Sequence, residues 1–271
     1  MKSTNLFLVA CTLALLFAPV SSSLGQEVPD AIAYFDLPGK IDHVRKSSVS
    51  IEVLKLSDDI KQVDPTLLGS GFLTLIGGNV YAVTNYHVVK GVHSDTRLLV
   101  GVNFKEKKAY NVATVSKFDP VKDIAILSLA DTIIAKTAID LSQLHFNQAS
   151  IGVSMFSDSS EFVEGQSVLL IGFPLGLGSE IASNQPVSRI GMIAQSRRRN
   201  GSFLLDGIAS HGNSGSPVFN LKNMKLLGMV VGFPSDYITA YDENGQLVAR
   251  LPYNSGLSLC ISSSDILKLI Q

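Results

Sequence analysis

One serine of this chain, Ser214, lies in a segment that could activate it as a nucleophile. The segment reads His211-Gly212-Asn213-Ser214-Gly215-Ser216-Pro217. A hydroxyl attacks a carbonyl when a neighbouring base accepts its proton and nearby donors stabilise the oxyanion that forms. The glycines permit a tight turn whose backbone N–H groups point at one spot. The same residues also form ordinary loops, so this hypothesis requires a base and a carboxylate elsewhere in the chain.

Two upstream segments supply that base and that carboxylate. Thr84-Asn85-Tyr86-His87-Val88-Val89 places His87 at the end of a predicted strand, and Asp123-Ile124-Ala125-Ile126-Leu127 places Asp123 at the start of another. The chain order His, Asp, Ser is that of chymotrypsin-type hydrolases and differs from the orders in subtilisins and α/β-hydrolases. The α/β-hydrolase alternative also requires Gly-x-Ser-x-Gly, whereas Ser216 occupies the last position here.

As a set, these segments resemble the HtrA-like, trypsin-fold serine peptidases, and the run Ile171-Gly172-Phe173-Pro174-Leu175-Gly176 is similar to the same family. The resemblance covers about residues 47–270. It implies two six-stranded β-barrels with the active site between them, in which His87 and Asp123 come from the first barrel and Ser214 from the second. It also implies an endopeptidase that acts on proteins or peptides through an acyl-enzyme.

The resemblance implies a role for each of these groups. Ser214 would attack the peptide carbonyl, His87 would accept the proton, and Asp123 would orient the imidazole. The backbone amides of Gly212 and Ser214 would form the oxyanion hole. Asp119 is an alternative carboxylate, but it precedes a proline, a pairing that is typical of a turn. Asp123 is preferred because it directly precedes the apolar strand, as in the family pattern.

The resemblance also predicts a substrate pocket and reveals one departure from the family. The pocket would be lined by Gly207, Ile208, Ala209, Met229, Val230, Val231 and Gly232. These residues are apolar, so we expect a preference for small to medium aliphatic side chains before the scissile bond. The family usually has Gly-Asn-Ser-Gly-Gly, and Ser216 at the last position could crowd the turn of the second barrel.

Short strand candidates, separated by glycines and turn residues and with little helical periodicity, predict an all-β fold. We expect a peptidase domain over residues 47–271, with one barrel at about 47–135 and the other at about 160–262. Residues 26–46 contain prolines and scattered charges, which predicts an N-terminal arm before the peptidase domain. Residues 234–254 include Asp242-Glu243-Asn244-Gly245, a predicted hairpin tip, and this segment could shape or cover the site. Many HtrA-like proteins continue into a peptide-binding PDZ domain, and we expect none here because the segment after the last predicted strand is short.

The first 25 residues have the pattern of a secretory signal peptide, with Lys2, an apolar stretch over residues 6–20, and small residues up to Gly25. The apolar stretch is shorter than the roughly 20 residues that span a bilayer, so we expect cleavage and no stable membrane insertion. Cleavage would remove Cys11 and leave Cys260 alone, as a small buried apolar residue. An exported protease without disulfides suggests the bacterial periplasm or bacterial secretion.

Composition and motifs exclude other classes of function. The formal net charge of −1 offers no electrostatic attraction for nucleic acid. No His-Glu-x-x-His run supports metal-dependent hydrolysis, and we expect neither a metal nor a cofactor. Two hypotheses remain: an exported serine endopeptidase, and a protease-fold protein whose triad is idle and whose loops bind a partner. The presence of all three residue types in the expected order favours the enzyme.

Overall fold

The computed structural model describes residues 37–62, 64–104, 107–135, 149–158, 161–174, 185–196 and 201–271. The predicted signal peptide over residues 1–25 and the first part of the predicted N-terminal arm lie outside these ranges. Among the described helices, none is both long enough and apolar enough to cross a membrane.

The first half of the chain forms a ring of six antiparallel strands. These are β1 (Ser48–Lys55), β2 (Thr66–Ile76), β3 (Asn79–Thr84), β4 (Thr96–Phe104), β5 (Lys107–Asp119) and β6 (Ile124–Ala135). Their order around the ring is β1-β4-β5-β6-β3-β2, and the pairing of β1 with β2 closes it. The interior is filled by fully buried aliphatic side chains such as Val49, Leu73 and Leu127. A short strand, β7 (Ile151–Gly152), pairs in parallel with β2 outside the ring.

The second half forms a closed six-stranded barrel. Its strands are β8 (Ser167–Gly172), β9 (Val187–Gln195), β10 (Ser202–Asp206), β11 (Pro217–Asn220), β12 (Leu226–Gly232) and β15 (Leu257–Ser262), in the order β10-β15-β12-β11-β8-β9. Its interior contains Val168, Phe203 and Cys260, all nearly or fully buried. The predicted fold, an all-β pair of six-stranded barrels, is therefore confirmed.

The two barrels share a third apolar core, which holds them together. On the side of the first barrel this core contains Phe72 and Ile124, and on the side of the second it contains Ile171, Phe219 and Met229, each fully buried. Burial of apolar surface is the main favourable term in folding. The loops that leave the barrels at this junction are therefore supported by a well-packed apolar core.

Between β12 and β15 the chain leaves the second barrel as a long hairpin. Strands β13 (Ser235–Tyr241) and β14 (Leu247–Asn254) form a separate two-stranded sheet. Its tip is the predicted turn, in which the Gly245 N–H donates to the Asp242 carbonyl oxygen at 3.0 Å. Most side chains of the hairpin are exposed.

Helices are few and short in the described part of the chain. Besides a 3-10 turn (Val153–Met155), they are α1 (Leu37–Arg45), α2 (Tyr86–Val89) and α3 (Ser263–Ile270). Helix α1 lies in the last part of the predicted N-terminal arm, and the sequence analysis did not predict it. Leu37, Ile41 and Val44 recur at helical spacing and pack against the shared core, while Pro38 lies in the first turn, where its missing N–H costs no helical hydrogen bond.

Candidate active site

The histidine and its supporting asparagine lie where β3 ends. β3 stops at Thr84, and the single turn α2 begins at Tyr86, so His87 stands at the start of a helical turn. Asn85, between them, is fully buried, and its side-chain amide donates to the Asp123 carbonyl oxygen at 2.9 Å. Val88 packs underneath, in the core of the first barrel. The imidazole is thereby held at the rim of this barrel, with its side chain 38% exposed.

Asp123 contacts His87 twice. One carboxylate oxygen accepts the backbone N–H of His87 at 2.7 Å, and the other lies 2.6 Å from ring atom Nδ1. Asp123 has a φ of 56°, a left-handed conformation that aspartate tolerates better than most residues. With Nδ1–H directed at the carboxylate, Nε2 is the nitrogen left to accept a proton.

The competing carboxylate, Asp119, takes a different position. Its Oδ1 atom accepts the backbone N–H groups of Val121 and Lys122 at 2.8 and 3.0 Å. This is a side-chain-stabilised turn of the type that aspartate commonly begins. The turn brings the chain from β5 into β6 and presents Asp123 to the histidine.

Residues 210–216, called the nucleophile turn from here on, consist of two successive tight turns. The N–H of Asn213 donates to the Ser210 carbonyl at 3.0 Å, and the N–H of Ser216 donates to the Asn213 carbonyl at 2.9 Å. The third residue of each turn is a glycine with positive φ, 89° at Gly212 and 87° at Gly215. A turn of this kind strongly favours glycine at that position. The spacing of the two glycines around Ser214 therefore determines the local backbone.

The two amides predicted to form an oxyanion hole have no acceptor among the described residues. In the nucleophile turn, the N–H groups of Asn213, Gly215 and Ser216 donate hydrogen bonds, whereas those of Gly212 and Ser214, and also those of Ser210 and His211, donate none within the described residues. A pair of free N–H groups such as those of Gly212 and Ser214 can bind an anion or a developing oxyanion. This assignment stays a prediction.

The Ser214 hydroxyl is hydrogen-bonded to the main chain of β12. It donates to the Val231 carbonyl oxygen at 3.1 Å, and in the described part of the chain no hydrogen bond joins it to His87. The two elements are nevertheless neighbours across Gly69, because a Cβ atom there would lie 3.0 Å from both the Ser214 carbonyl oxygen and a Val88 methyl group. Catalytic hydrogen bonds are often long or misaligned without substrate.

The predicted pocket residues divide into two groups. Ile208 is 58% exposed, and Gly207, Val231 and Gly232 are half-buried, so these can face a ligand. Ala209, Met229 and Val230 are fully buried within the apolar cores. Because their side chains face the cores, these three can border a substrate only through the main chain.

Two residues that the sequence analysis did not single out hold the pocket segment. The Ser258 hydroxyl donates to the Gly207 carbonyl and accepts the Ala209 N–H at 2.9 Å. The Asn254 amide, at the end of the hairpin, donates to the Ala209 carbonyl at 2.5 Å. No local motif identifies these residues, because their partners are more than 40 positions away in the chain.

Ser216, the departure from the family pattern, is accommodated by a glycine on the neighbouring strand. Its side chain is fully buried, and its hydroxyl has no partner among the described residues. A Cβ atom on Gly172 would lie 1.8 Å from the Ser216 Oγ atom. The space that a side chain at position 172 would need is thus taken by Ser216.

Cys260 is buried in β15, as predicted, and is fully inaccessible. Burial raises the pKa of its thiol, which opposes formation of the reactive thiolate. The thiol is therefore not a competing nucleophile.

Comparison with known proteins agrees with this architecture. Residues 69–229 match the family model described as a trypsin-like peptidase domain. Among curated relatives, "Serine protease Do-like HtrA" of Lactococcus lactis subsp. cremoris is 27% identical over 72% of this chain and 42% of its own length. A "Probable periplasmic serine endoprotease DegP-like" of a Marinomonas species is 31% identical over 75% of this chain and 35% of its own.

Among solved structures, "HtrA-type protease AlgW with decapeptide" superimposes with a TM-score of 0.57 at 17% identity, covering 87% of this chain and 66% of that one. This likeness concerns the fold. The chain spans less than half the length of the curated relatives named above. The family-model match and the two-barrel architecture establish that the chain belongs to the trypsin-like peptidase domain family and is HtrA-like in sequence.

Proposed function

We propose that this protein is a serine endopeptidase that hydrolyses peptide bonds through an acyl-enzyme. The observation that carries the proposal is the double contact of the Asp123 carboxylate with the His87 N–H and ring Nδ1. A carboxylate in this position selects the imidazole tautomer whose Nε2 can take a proton from serine. A histidine with a purely structural role would not need a carboxylate partner while its side chain remained partly exposed to solvent.

In the proposed reaction, the Ser214 hydroxyl leaves the Val231 carbonyl and attacks the carbon of the scissile peptide. Its proton passes to His87 Nε2, and the negative charge on the carbonyl oxygen is held by the N–H groups of Gly212 and Ser214. Collapse of the tetrahedral intermediate breaks the C–N bond, and the departing amine takes the proton from His87. Water then attacks the ester in the same way and releases the carboxylic acid and the free serine.

The proposed substrate is an extended segment of a protein or peptide. Ile208 is the exposed apolar side chain of the pocket segment, and no charge lies among the proposed pocket residues. We therefore expect small to medium aliphatic residues before the cleaved bond. A library of peptide substrates in which cleavage follows arginine or lysine would contradict this preference.

The proposed location is outside the cytoplasm, in the periplasm or secreted. The signal-like pattern of the first 25 residues supports it, and so do relatives named as periplasmic endoproteases. Fractionation of cells that express the full chain tests this point. Recovery of the uncleaved chain in the cytoplasm would contradict it.

A fluorophosphonate probe tests the catalytic proposal directly, because it labels only an activated serine. The wild-type chain should be labelled, with the adduct mapped by mass spectrometry to Ser214 and not to Ser210 or Ser216 in the same turn. Ser214→Ala should abolish labelling, and His87→Ala should reduce its rate by on the order of 10³-fold or more. A folded wild-type protein that is neither labelled nor active on peptides would overturn the proposal.

The second candidate is a protease-fold binding module with an idle triad. It is favoured by one observation, the hydrogen bond of the Ser214 hydroxyl to the Val231 carbonyl in place of His87. On this alternative, a peptide would bind to the wild type and to Ser214→Ala with equal affinity and would be recovered uncut from both. Cleavage by the wild type alone would eliminate it.

A further inference from the structure

Ser70 stands at the centre of the contact between the first barrel and the nucleophile turn. It lies in β2, on the first barrel, and is fully buried. Nothing in its immediate sequence, Gly69-Ser70-Gly71, identifies it as part of a site. Its partners lie far away in the chain, up to 142 positions distant.

All polar groups of Ser70 are engaged. Its N–H donates to the Ser214 carbonyl at 2.8 Å, and its hydroxyl donates to the Gly212 carbonyl at 2.6 Å. The hydroxyl oxygen also accepts the N–H of Phe173 at 2.9 Å. The Ser70 carbonyl accepts the hydroxyl of Thr84 at 2.7 Å, three residues before His87.

The nucleophile turn is pressed against Ser70 so closely that glycine is required. A Cβ atom on Gly215 would lie 2.0 Å from the Ser70 carbonyl oxygen and 2.6 Å from the Thr84 hydroxyl. A Cβ atom essentially never lies closer than 3.0 Å to another heavy atom that is not bonded nearby, so a side chain at position 215 would displace the turn. This proximity holds Gly212 and Ser214, whose carbonyls both bind Ser70, in a single orientation.

The two anchored carbonyls belong to the residues of the proposed oxyanion hole. The N–H groups of Gly212 and Ser214 donate no hydrogen bond within the described residues, and along the chain the Ser214 N–H lies between the two carbonyls that bind Ser70. An oxyanion hole stabilises charge only when its donors are fixed before the charge forms. We propose that Ser70 is a positioning residue, which orients the oxyanion hole and the nucleophile from the opposite barrel. This inference rests on the proposed peptidase function.

A hydroxyl suits this role because it donates and accepts at once. In Ser70→Ala, the main-chain bonds to Ser214 and Thr84 can persist, but the buried Gly212 carbonyl and the Phe173 N–H lose their partner. A buried polar group without a hydrogen-bond partner is energetically unfavourable, which favours a rearrangement that gives it a new partner. We expect the Gly212 peptide to turn away from its present orientation.

Thr74→Val is a matched control in the same strand. The Thr74 hydroxyl is also fully buried and donates to the Ile151 carbonyl at 2.9 Å, but it does not contact the nucleophile turn. Both variants therefore remove one buried hydroxyl from β2. Only Ser70→Ala removes a hydrogen bond to the oxyanion-hole residues.

The experiment measures kcat and KM on an aliphatic peptide substrate, the rate of fluorophosphonate labelling, and Tm, for the full chain and each variant. Ser70→Ala should lower kcat and the labelling rate by about 10- to 100-fold, with KM changed less than about threefold. Thr74→Val should keep both rates within about threefold while its Tm falls. Ser70→Thr, which restores a hydroxyl, should recover labelling relative to Ser70→Ala.

Several outcomes would overturn the inference. One is a folded Ser70→Ala with wild-type kcat and labelling rate, and another is equal loss of rate in Thr74→Val. If Ser70→Ala does not fold, Ser70→Cys provides a weaker donor of similar size, and wild-type kcat in that variant would refute the role of the hydroxyl. Failure of the wild type itself to label would instead refute the proposed function, so the two failures are distinguishable.

Discussion

The His87–Asp123 pair and the nucleophile turn lie at the same junction of the two barrels, but different contacts hold them. The pair is joined by two direct hydrogen bonds and is supported by Asn85, all within the first barrel. The nucleophile turn belongs to the second barrel, yet its Gly212 and Ser214 carbonyls bind the first. The geometry of the pair is therefore local, whereas the geometry of the nucleophile depends on how the barrels dock.

This difference has a consequence for activity. A change that loosens the docking of the barrels should move the Ser214 hydroxyl and the oxyanion hole while leaving the pair intact. The present orientation of that hydroxyl, toward Val231, is consistent with a nucleophile that is adjusted separately from its base. Substitutions in the pair and substitutions in the nucleophile turn should therefore differ in how strongly they lower activity relative to stability.

The largest effect is expected from breaking the pair. Asp123→Asn keeps the size of the side chain but no longer favours the tautomer that leaves Nε2 free, so kcat/KM should fall by on the order of 10³- to 10⁴-fold. Tm should change little. Asp119→Asn is the control, because an amide oxygen can still accept the two N–H bonds of its turn, and it should retain activity within about threefold. An equal loss of activity in both variants would contradict the assignment of Asp123 as the carboxylate that orients His87.

A smaller loss is expected from straining the nucleophile turn. Gly212→Ala forces a side chain into a φ of 89° and should lower kcat by about 10- to 100-fold, because it disturbs an oxyanion donor. Gly78→Ala introduces the same strain, at a φ of 87°, in the exposed β2–β3 turn, where nothing surrounds the new atom. Both should lose roughly 1–2 kcal/mol of unfolding free energy. Steady-state kinetics and urea unfolding of both variants check this, and a comparable kcat loss in Gly78→Ala would refute the local explanation.

The packing of Ser216 on Gly172 gives a stability test within the second barrel. Gly172→Ala should lose about 1–3 kcal/mol of unfolding free energy, because its Cβ atom overlaps the Ser216 hydroxyl. Combining it with Ser216→Gly should recover at least about 1 kcal/mol, measured by urea unfolding of the four proteins in a double-mutant cycle. Additive losses would show that the two positions are not coupled.

The smallest effect is expected at an ion pair remote from both halves of the site. A hydrogen bond from Lys225 holds the pKa of Glu161 below its usual value, although partial burial opposes the shift. A carboxyl group whose pKa is lowered in the folded state stabilises the fold at pH values above the ordinary glutamate pKa. That stabilisation is lost as the pH falls through the lowered pKa. Glu161→Gln should therefore lower Tm by no more than about 2 °C at pH 7 and converge with the wild type in acid. Any change in kcat would contradict its remoteness.

The sequence alone was informative wherever a residue's role depends on its near neighbours. Gly212 and Gly215 predicted a turn, and both adopt the positive φ that such turns require. Alternation of apolar and polar residues predicted the β structure, and the resemblance predicted two barrels, which the structure confirms. The helix α1 was missed because two of its first three residues, Pro38 and Gly39, resemble a breaker, although the later apolar spacing is helical.

The pocket and the supports of the site could not be predicted in the same way. Apolar residues such as Met229 and Val230 are equally compatible with a pocket wall and a core. In the structure Val230 is buried inside the second barrel and Met229 is buried in the core that the two barrels share. The roles of Ser70 and Ser258 depend on carbonyls that are distant in the chain. The sequence around a single serine does not indicate which distant carbonyl its hydroxyl will bind.

By itself, the sequence of this protein determined the order of the candidate groups, the turn around Ser214 and the all-β class. These follow from short-range steric preferences and from the period of burial. Only the tertiary structure decided that Asp123 binds the backbone N–H and the ring Nδ1 of His87, that the Ser214 hydroxyl binds the Val231 carbonyl, and that Ser70 joins the two barrels. Such contacts depend on orientations that the packing of the whole core determines, because a displacement of about 1 Å is enough to break a hydrogen bond.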